Sequence, residues 1–260
     1  MINPGTFFRI LALALTVMMM FGCTGASKRG SKSNLSDQAK AKMNLGAALI
    51  MEREYSMALK ALLEAKEMSP PNFEIESYIG SAYFGMKKFD LAEQQYKAAL
   101  KLNDSRTDVR NNLGLTYLAK KEYEKALAEF NLCMEDLVYK KRYLAMTNIG
   151  LVYIEMKRYD DAMPILRRAA EVEPQYAGSY ALIGRIYMEQ KSYAEAVDYL
   201  NNSVRLNPDD AQVFFMLGDA FIALNKPEEA AQAYSKVARL APNTPLALEA
   251  QKNARNAMGF

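Results

Sequence analysis

Histidine and tryptophan are absent from the 260-residue chain, and cysteine occurs twice, at Cys23 and Cys133. Without histidine, catalytic triads with an imidazole base and zinc sites built from histidine are excluded. Two cysteines are too few for a four-cysteine metal site or a disulfide scaffold. Neither sign of charge is in large excess, since the chain has 33 Lys and Arg and 30 Asp and Glu. We therefore expect no nucleic-acid-binding surface. No nucleophile stands beside a base, which predicts a protein that is not an enzyme and holds no metal, cofactor or small-molecule substrate.

The N-terminus has the order of residues found in a bacterial export signal. Arg9 precedes a largely apolar run, 10–21, which is too short to span a bilayer as a helix but suits a signal peptide. Gly22 and Cys23 follow it, and this resembles a lipobox, in which the thiol is lipidated and the peptide is cut before the cysteine. We therefore interpret residues 1–22 as a lipoprotein signal peptide and Cys23 as the site of acylation, palmitate included.

Met20 and Phe21 depart from the usual residues of a lipobox, so two alternatives stay open: an uncleaved signal anchor, or a free thiol beside an ordinary cleavage site. Thr24 is not the Asp that retains enteric lipoproteins at the inner membrane, and the resemblance therefore implies anchoring at the periplasmic face of the outer membrane. Residues 23–38 are rich in Gly, Ser and Lys, and are expected to be a flexible tether.

A fixed period of about 34 residues organises the rest of the chain. Glycine recurs with an apolar residue before it, a bulky residue three positions later and an alanine twelve positions later. Small residues at two such positions would let paired helices approach closely, and the larger ones would fill the space between them. The glycines are Gly46, Gly80, Gly114, Gly150, Gly184 and Gly218, and the alanines are Ala58, Ala92, Ala126, Ala162, Ala196 and Ala230.

These residues resemble the tetratricopeptide repeat, without its early tryptophan. The resemblance implies an all-α fold, a right-handed superhelix of helix–turn–helix units. Aromatic residues such as Tyr55 and Phe89 are expected to precede the second helices. A polar last helix, 245–260, is expected to cap the array. The six predicted repeats are 39–72, 73–106, 107–142, 143–176, 177–210 and 211–244.

The third repeat is two residues longer than the others, and its tail interrupts the period. A longer loop is the simple interpretation. The stretch 137–157 also resembles the middle insertion of type IV pilus pilotins, which are outer-membrane lipoproteins with six such repeats. Tyr139, Arg142, Asn148, Gly150 and Leu151 carry this resemblance.

In this repeat fold, five positions of each first helix face the concave side. Reading them off predicts a mainly apolar groove, which suits an amphipathic helix or an extended apolar segment of a partner protein. Burial between repeats is the alternative for a part of this set. The predicted groove residues are Met43, Ile50, Met51, Phe84, Asn111, Leu115, Leu118, Leu144, Asn148, Leu151, Ile154, Met188, Phe215 and Ile222.

Two other sites are not predicted. A carboxylate clamp for peptide tails needs Lys, Asn and Arg at fixed inward positions, and Leu144 stands where a Lys is required. Cys133 falls at a position for a small core residue, with no basic group within one turn on the same face of its helix to activate its thiol.

The pilotin resemblance implies a lipid-anchored assembly factor that binds a secretin subunit and promotes its multimerisation. A general cell-envelope scaffold, which binds a cell-wall synthesis complex or an outer-membrane assembly complex, is the alternative.

Overall fold

The computed structural model describes residues 35–136 and 138–259; the predicted signal peptide and Cys23 lie outside these ranges. Thirteen segments of the described residues are α-helical, and none is a β-strand. The helices are α1 (Asp37–Met51), α2 (Tyr55–Glu67), α3 (Phe73–Gly85), α4 (Phe89–Leu102), α5 (Thr107–Ala119), α6 (Tyr123–Glu135), α7 (Arg142–Glu155), α8 (Tyr159–Val172), α9 (Ala177–Glu189), α10 (Tyr193–Leu206), α11 (Ala211–Ala223), α12 (Pro227–Leu240) and α13 (Pro245–Ala257).

The first twelve helices form six antiparallel pairs, joined by tight turns in which one residue is left-handed. In the turn between α5 and α6, Lys121 has φ of 62°, and the N–H of Glu122 donates to the carbonyl of Tyr117 at 2.8 Å. The N–H of Lys121 donates to the carbonyl of Leu118, so these bonds satisfy carbonyls that the end of α5 leaves unpaired. The equivalent left-handed residues are Arg53, Lys87, Lys157, Lys191 and Asn225.

Small residues lie where the paired helices approach each other, as predicted. A Cβ atom added to Gly80 of α3 would lie 2.8 Å from the ring of Tyr96 in α4, which is closer than carbon atoms pack. The six recurring alanines of the second helices are all completely buried. The predicted all-α repeat fold is confirmed, and the periodic glycines and alanines are its helix contacts.

The described chain divides into two compact units, one ending at Lys140 and the other beginning at Lys141. The first unit contains α1 to α6 and the second contains α7 to α13. The division falls within the two-residue-longer tail of the third repeat. At the start of this tail, the hydroxyl of Thr107 donates to the carboxylate of Asp136, which also accepts from the N–H of Val138 at 2.9 Å.

The last helix, α13, covers the apolar end of the second unit. Leu246, Ala250 and Ala254 pack with Tyr234 and Val237 of α12. At its start, the side chain of Thr244 accepts from the N–H of Ala247 and so caps the helix. This confirms the predicted C-terminal capping helix.

The structure differs from the sequence expectations at three places. Helix α1 begins at Asp37, where the side chain of Ser36 accepts from the N–H of Ala39, so residues 37–38 of the predicted tether are helical. Helix α7 begins one residue before the predicted fourth repeat. The aromatic residues expected before the second helices are instead their first residues, as Tyr55 is in α2. Among the described helices, none has the length and apolar character needed to cross a bilayer.

Candidate partner-binding surface

The fourteen predicted groove residues differ widely in exposure. Met51, with 64% of its surface exposed, and Ile222, with 45%, are open to solvent. Ile50, Leu144 and Met188 are half-buried. The other nine are buried: Met43, Phe84, Asn111, Leu115, Leu118, Asn148, Leu151, Ile154 and Phe215.

The nine buried side chains do not form the exposed apolar lining that the sequence predicted. Met43 packs in the core cluster of α1, α2 and α3, and Ile154 packs in the cluster around α8 and α9. Phe215 makes an edge contact with the ring of Tyr234, with centroids 5.5 Å apart. Long side chains on a helix lean towards its N-terminus and onto neighbouring helices. A side chain at a position assigned to the concave face can therefore be buried in the core. Whether any of the fourteen residues contacts a partner stays a prediction.

Polar side chains at inward positions of the second unit are paired with each other. Nη2 of Arg185 in α9 lies 2.8 Å from Oε1 of Glu155 in α7, and both side chains are less than one-fifth exposed. Burial raises the pKa of the neighbouring Tyr159, and the negative charge of Glu189 acts in the same direction. The pairing fixes two first helices of successive repeats to each other at the surface predicted to bind a partner.

Asp219 is a second inward polar residue with an unusual environment. Burial raises the pKa of its carboxyl group to about 6, although the hydrogen bond from the Tyr234 hydroxyl, 2.6 Å long, acts in the opposite direction. The negative charge of Glu249 in α13 contributes to the increase. Asp219 therefore joins α11 to α12 through a carboxyl group that gains its proton near pH 6.

The first unit carries an ion-pair network that the sequence analysis missed. Nζ of Lys120, at the end of α5, lies 2.9 Å from Asp90, 2.9 Å from Glu122 and 2.5 Å from Glu93. Although burial opposes the change, hydrogen bonds from Lys120 and Lys97 lower the pKa of Glu93 to about 2. The lysines hold Glu93 ionised, so the network joins α4 to the end of α5 and is not an acid–base pair. The spacing of Glu93 and Lys97, four residues apart on one helix, was the available signal.

The position of the family's missing tryptophan is also filled differently in the two units. In the first unit it holds charged residues in ion pairs: Lys42 with Glu64, and Glu76 with Lys66 at 2.8 Å. The third such residue, Arg110, lies 3.4 Å from Glu129. In the second unit the same position holds Met146, Tyr180 and Phe214. The tryptophan position is thus occupied by ion-paired residues in one unit and by Met, Tyr or Phe in the other.

Cys133 lies in the core, as predicted. It is completely buried, and its thiol donates to the carbonyl of Thr107 at 3.4 Å. Burial raises the pKa of the thiol to about 12, so the reactive thiolate is disfavoured. Within the described ranges, no three Cys, Asp or Glu side chains are grouped in a way that could hold a metal ion.

Comparison with solved structures gives matches over most of this chain at low sequence identity. PilF of Pseudomonas aeruginosa is 19% identical, with a TM-score of 0.65 over 83% of this chain and 97% of that one. PilW, described as a widely conserved type IV pilus biogenesis factor, is 18% identical, with a TM-score of 0.70 over 82% of this chain and 98% of that one. Cut9, from the Cut9–Hcn1 assembly of the anaphase-promoting complex, is 17% identical, with a TM-score of 0.69 over 95% of this chain and 46% of that one.

No curated protein sequence gives a significant match to the chain. Two family models, both described as tetratricopeptide repeat, match parts of both units. One matches residues 153–213 and 187–254, and the other matches residues 79–132. With the helix pairs and the small-residue contacts described above, these matches show that the chain belongs to the tetratricopeptide-repeat family.

Proposed function

We propose that this protein is an outer-membrane lipoprotein that acts like a pilotin, binding a secretin subunit and promoting its multimerisation during type IV pilus biogenesis. A tetratricopeptide-repeat chain is a protein-interaction scaffold. The observation that carries the finer proposal is the likeness to PilW, a type IV pilus biogenesis factor, over 98% of that chain. The lipobox-like Gly22-Cys23 pair and the pilotin-like stretch 137–157 support it.

The proposed mechanism requires no bond making or breaking in the partner. Acyl chains on Cys23 would hold the protein at the membrane, because each buried methylene group contributes about 0.8 kcal/mol. Residues 24–34 would give reach to the repeats, and confinement near the membrane raises the effective concentration of the scaffold around a membrane-bound subunit. A partner segment can reach directly the exposed Met51 and Ile222 and the half-buried Ile50, Leu144 and Met188.

A general cell-envelope scaffold is the alternative function. Cut9 belongs to a different kind of assembly, yet its TM-score of 0.69 is close to that of PilW. The repeat geometry by itself therefore does not select a secretin over a cell-wall synthesis or outer-membrane assembly complex.

The deciding experiment measures secretin multimers in cell envelopes of the source organism. A strain that lacks this protein should lose multimers that resist denaturing electrophoresis. The full-length gene should restore them. The Cys23→Ser variant should fail to restore them and should leave the membrane fraction. Cys133→Ala is the matched control, because it removes the chain's other cysteine from the core without touching the proposed anchor.

Unchanged secretin multimers in the deletion strain contradict the pilotin proposal. If the deletion instead impairs a cell-wall or outer-membrane assembly complex, the scaffold alternative is supported. A Cys23→Ser variant that stays with the outer membrane contradicts lipid anchoring at this residue.

A further inference from the structure

Among residues 35–136 and 138–259, the first repeat leaves uncovered a face that later repeats bury. Ala41, Leu45 and Ala48 of α1 form one apolar stripe, because residues four and three apart lie on the same side of a helix. All three are exposed, and Leu45 has 48% of its surface exposed. We call Ala41, Leu45 and Ala48 the α1 stripe.

At the equivalent positions of later repeats within each unit, the first helix is covered by the second helix of the preceding repeat. In α3, Ile75, Ile79 and Ala82 are at most 1% exposed, and they pack with Leu62 and Ala65 of the preceding α2. Three further first helices are covered in the same way by α4, α8 and α10. Their buried residues are Val109, Leu113 and Thr116 in α5, Ser179, Ile183 and Ile186 in α9, and Val213, Leu217 and Ala220 in α11.

The other end of the array is finished differently. Helix α13 covers the apolar surface of α12, and its own outer side carries the exposed Gln251, Lys252 and Arg255, with Leu248 as an exposed apolar residue. Arrays of stacked repeats need terminal units with polar outer faces to remain soluble. The α1 stripe does not have such a polar outer face.

We propose that the α1 stripe binds an amphipathic α-helix of a partner protein, which packs as the second helix of a preceding repeat would. The chemistry of the partner follows from α2, which covers the equivalent surface of α3: a helix with Leu and Ala on one side, as at Leu62 and Ala65. Small residues on both sides permit a close approach of the two helices. This inference does not depend on the proposed role with a secretin.

Two other occupants fit the surface less well. In the described part of the chain, the outer side of α13 offers Lys252 and Arg255, so a second copy stacked head to tail presents no matching apolar stripe at that end. For a bilayer, the stripe is narrow and is flanked by the exposed polar residues Asp37 and Asn44. Amphipathic surfaces that bind bilayers combine broad apolar area with cationic residues.

The test uses a synthetic peptide with the sequence of α2, residues 55–67, and the full chain. A lactam between Lys60 and Glu64 of the peptide holds its helix, since an isolated helix of this length is marginal in water. Binding is measured by fluorescence anisotropy of the labelled peptide. The proposal expects saturable binding that Leu45→Asp weakens by about tenfold or more. Leu248→Asp, at the 64%-exposed leucine of α13, is the matched control and should leave binding unchanged.

A peptide carrying Leu62→Asp should fail to bind, and circular dichroism should show that Leu45→Asp leaves the chain helical. No saturable binding of the cross-linked peptide, or binding that is insensitive to Leu45→Asp, overturns the proposal. Self-association that Leu45→Asp abolishes in sedimentation velocity assigns the stripe to a second copy and also overturns it. The same holds for Leu45-dependent co-sedimentation with phosphatidylethanolamine–phosphatidylglycerol vesicles.

Discussion

The ring of Phe130 occupies the space that a side chain on Gly114 would need: a Cβ atom added to Gly114 would lie 2.6 Å from Cε1 of that ring. Gly114 belongs to α5 and Phe130 to α6, so this contact sets how closely the two helices of the third repeat approach. The equivalent glycines of the other repeats lie against Leu62, Tyr96, Leu166, Leu200 and Tyr234.

We therefore expect Gly114→Ala to destabilise the protein, although alanine favours a helix over glycine by about 1 kcal/mol. Overpacking should cost about 1–3 kcal/mol and outweigh this preference. Thermal unfolding measures the difference. Gly114→Ala should cost less stability in a Phe130→Leu background than in the native chain, because the smaller leucine side chain can move aside. A stabilised Gly114→Ala variant would contradict the close contact.

The left-handed residues of the turns predict a stabilising substitution. Lys191 has φ of 61°, a conformation that costs a residue with a Cβ atom roughly 1–2 kcal/mol. Lys191→Gly should therefore raise the free energy of unfolding by about 1 kcal/mol, because glycine gains from the relieved backbone more than it loses in chain entropy. Chemical denaturation provides the measurement. Lys191→Ala keeps the strain, and any comparable gain from it would show that the lysine side chain, not the backbone, is the cause.

Asp219 predicts a dependence of stability on pH. Its pKa is raised from the ordinary 3.8 to about 6, so between these values the folded state binds more protons than the unfolded state. The free energy of unfolding should therefore fall as pH rises from 4 to 6, by up to about 3 kcal/mol. Asp219→Asn should remove this part of the pH dependence and stabilise the protein at pH 7, since the amide oxygen can still accept from Tyr234.

Urea unfolding of both proteins at pH 4 and pH 7 measures this effect. Asp209→Asn is the control, because Asp209 is exposed and should leave the pH dependence as it is. Parallel pH profiles for the chain and its Asp219→Asn variant would show that this carboxyl group is not responsible.

The groove hypothesis is best tested at the exposed inward residues. Met51→Asp and Ile222→Asp should weaken binding of a secretin fragment in a pull-down without changing the helical content, because both side chains contact solvent. Substituting the buried Leu115, Leu151 or Ile154 would also destabilise the fold, so a loss of binding could not be assigned to a lost contact. Leu63→Asp is the control, since Leu63 is a 41%-exposed leucine on a second helix. Equal binding by all three variants would place the partner away from the first helices.

The period and its small residues were enough to predict helix pairs, because only small side chains fit where the pairs approach, as at Gly80. The concave lining was not predictable in the same way. Periodicity assigns Met43 or Phe215 to a side of its helix, but it does not tell how far the neighbouring helices cover that side. The raised pKa of Asp219 was not predictable either, because Glu249 and Tyr234 reach it only through the packing of three helices.

The network around Lys120 was missed for a similar reason. Its partners Asp90 and Glu93 lie about thirty positions earlier in the sequence, in the second helix of the previous repeat. A single repeat read by itself shows the Glu93–Lys97 pair but not its contact with Lys120. The positions of charged residues relative to the next repeat would have been the useful signal.

Stacked repeats need a terminal unit that covers the last apolar surface, and among the described residues such a unit is found at the carboxyl end. Helix α13 ends the stack with lysine, arginine and amide groups, whereas Leu45 begins it as though another unit came before. The two terminal helices of the described chain therefore differ: an added helix would meet an apolar stripe at α1 and mostly polar side chains at α13.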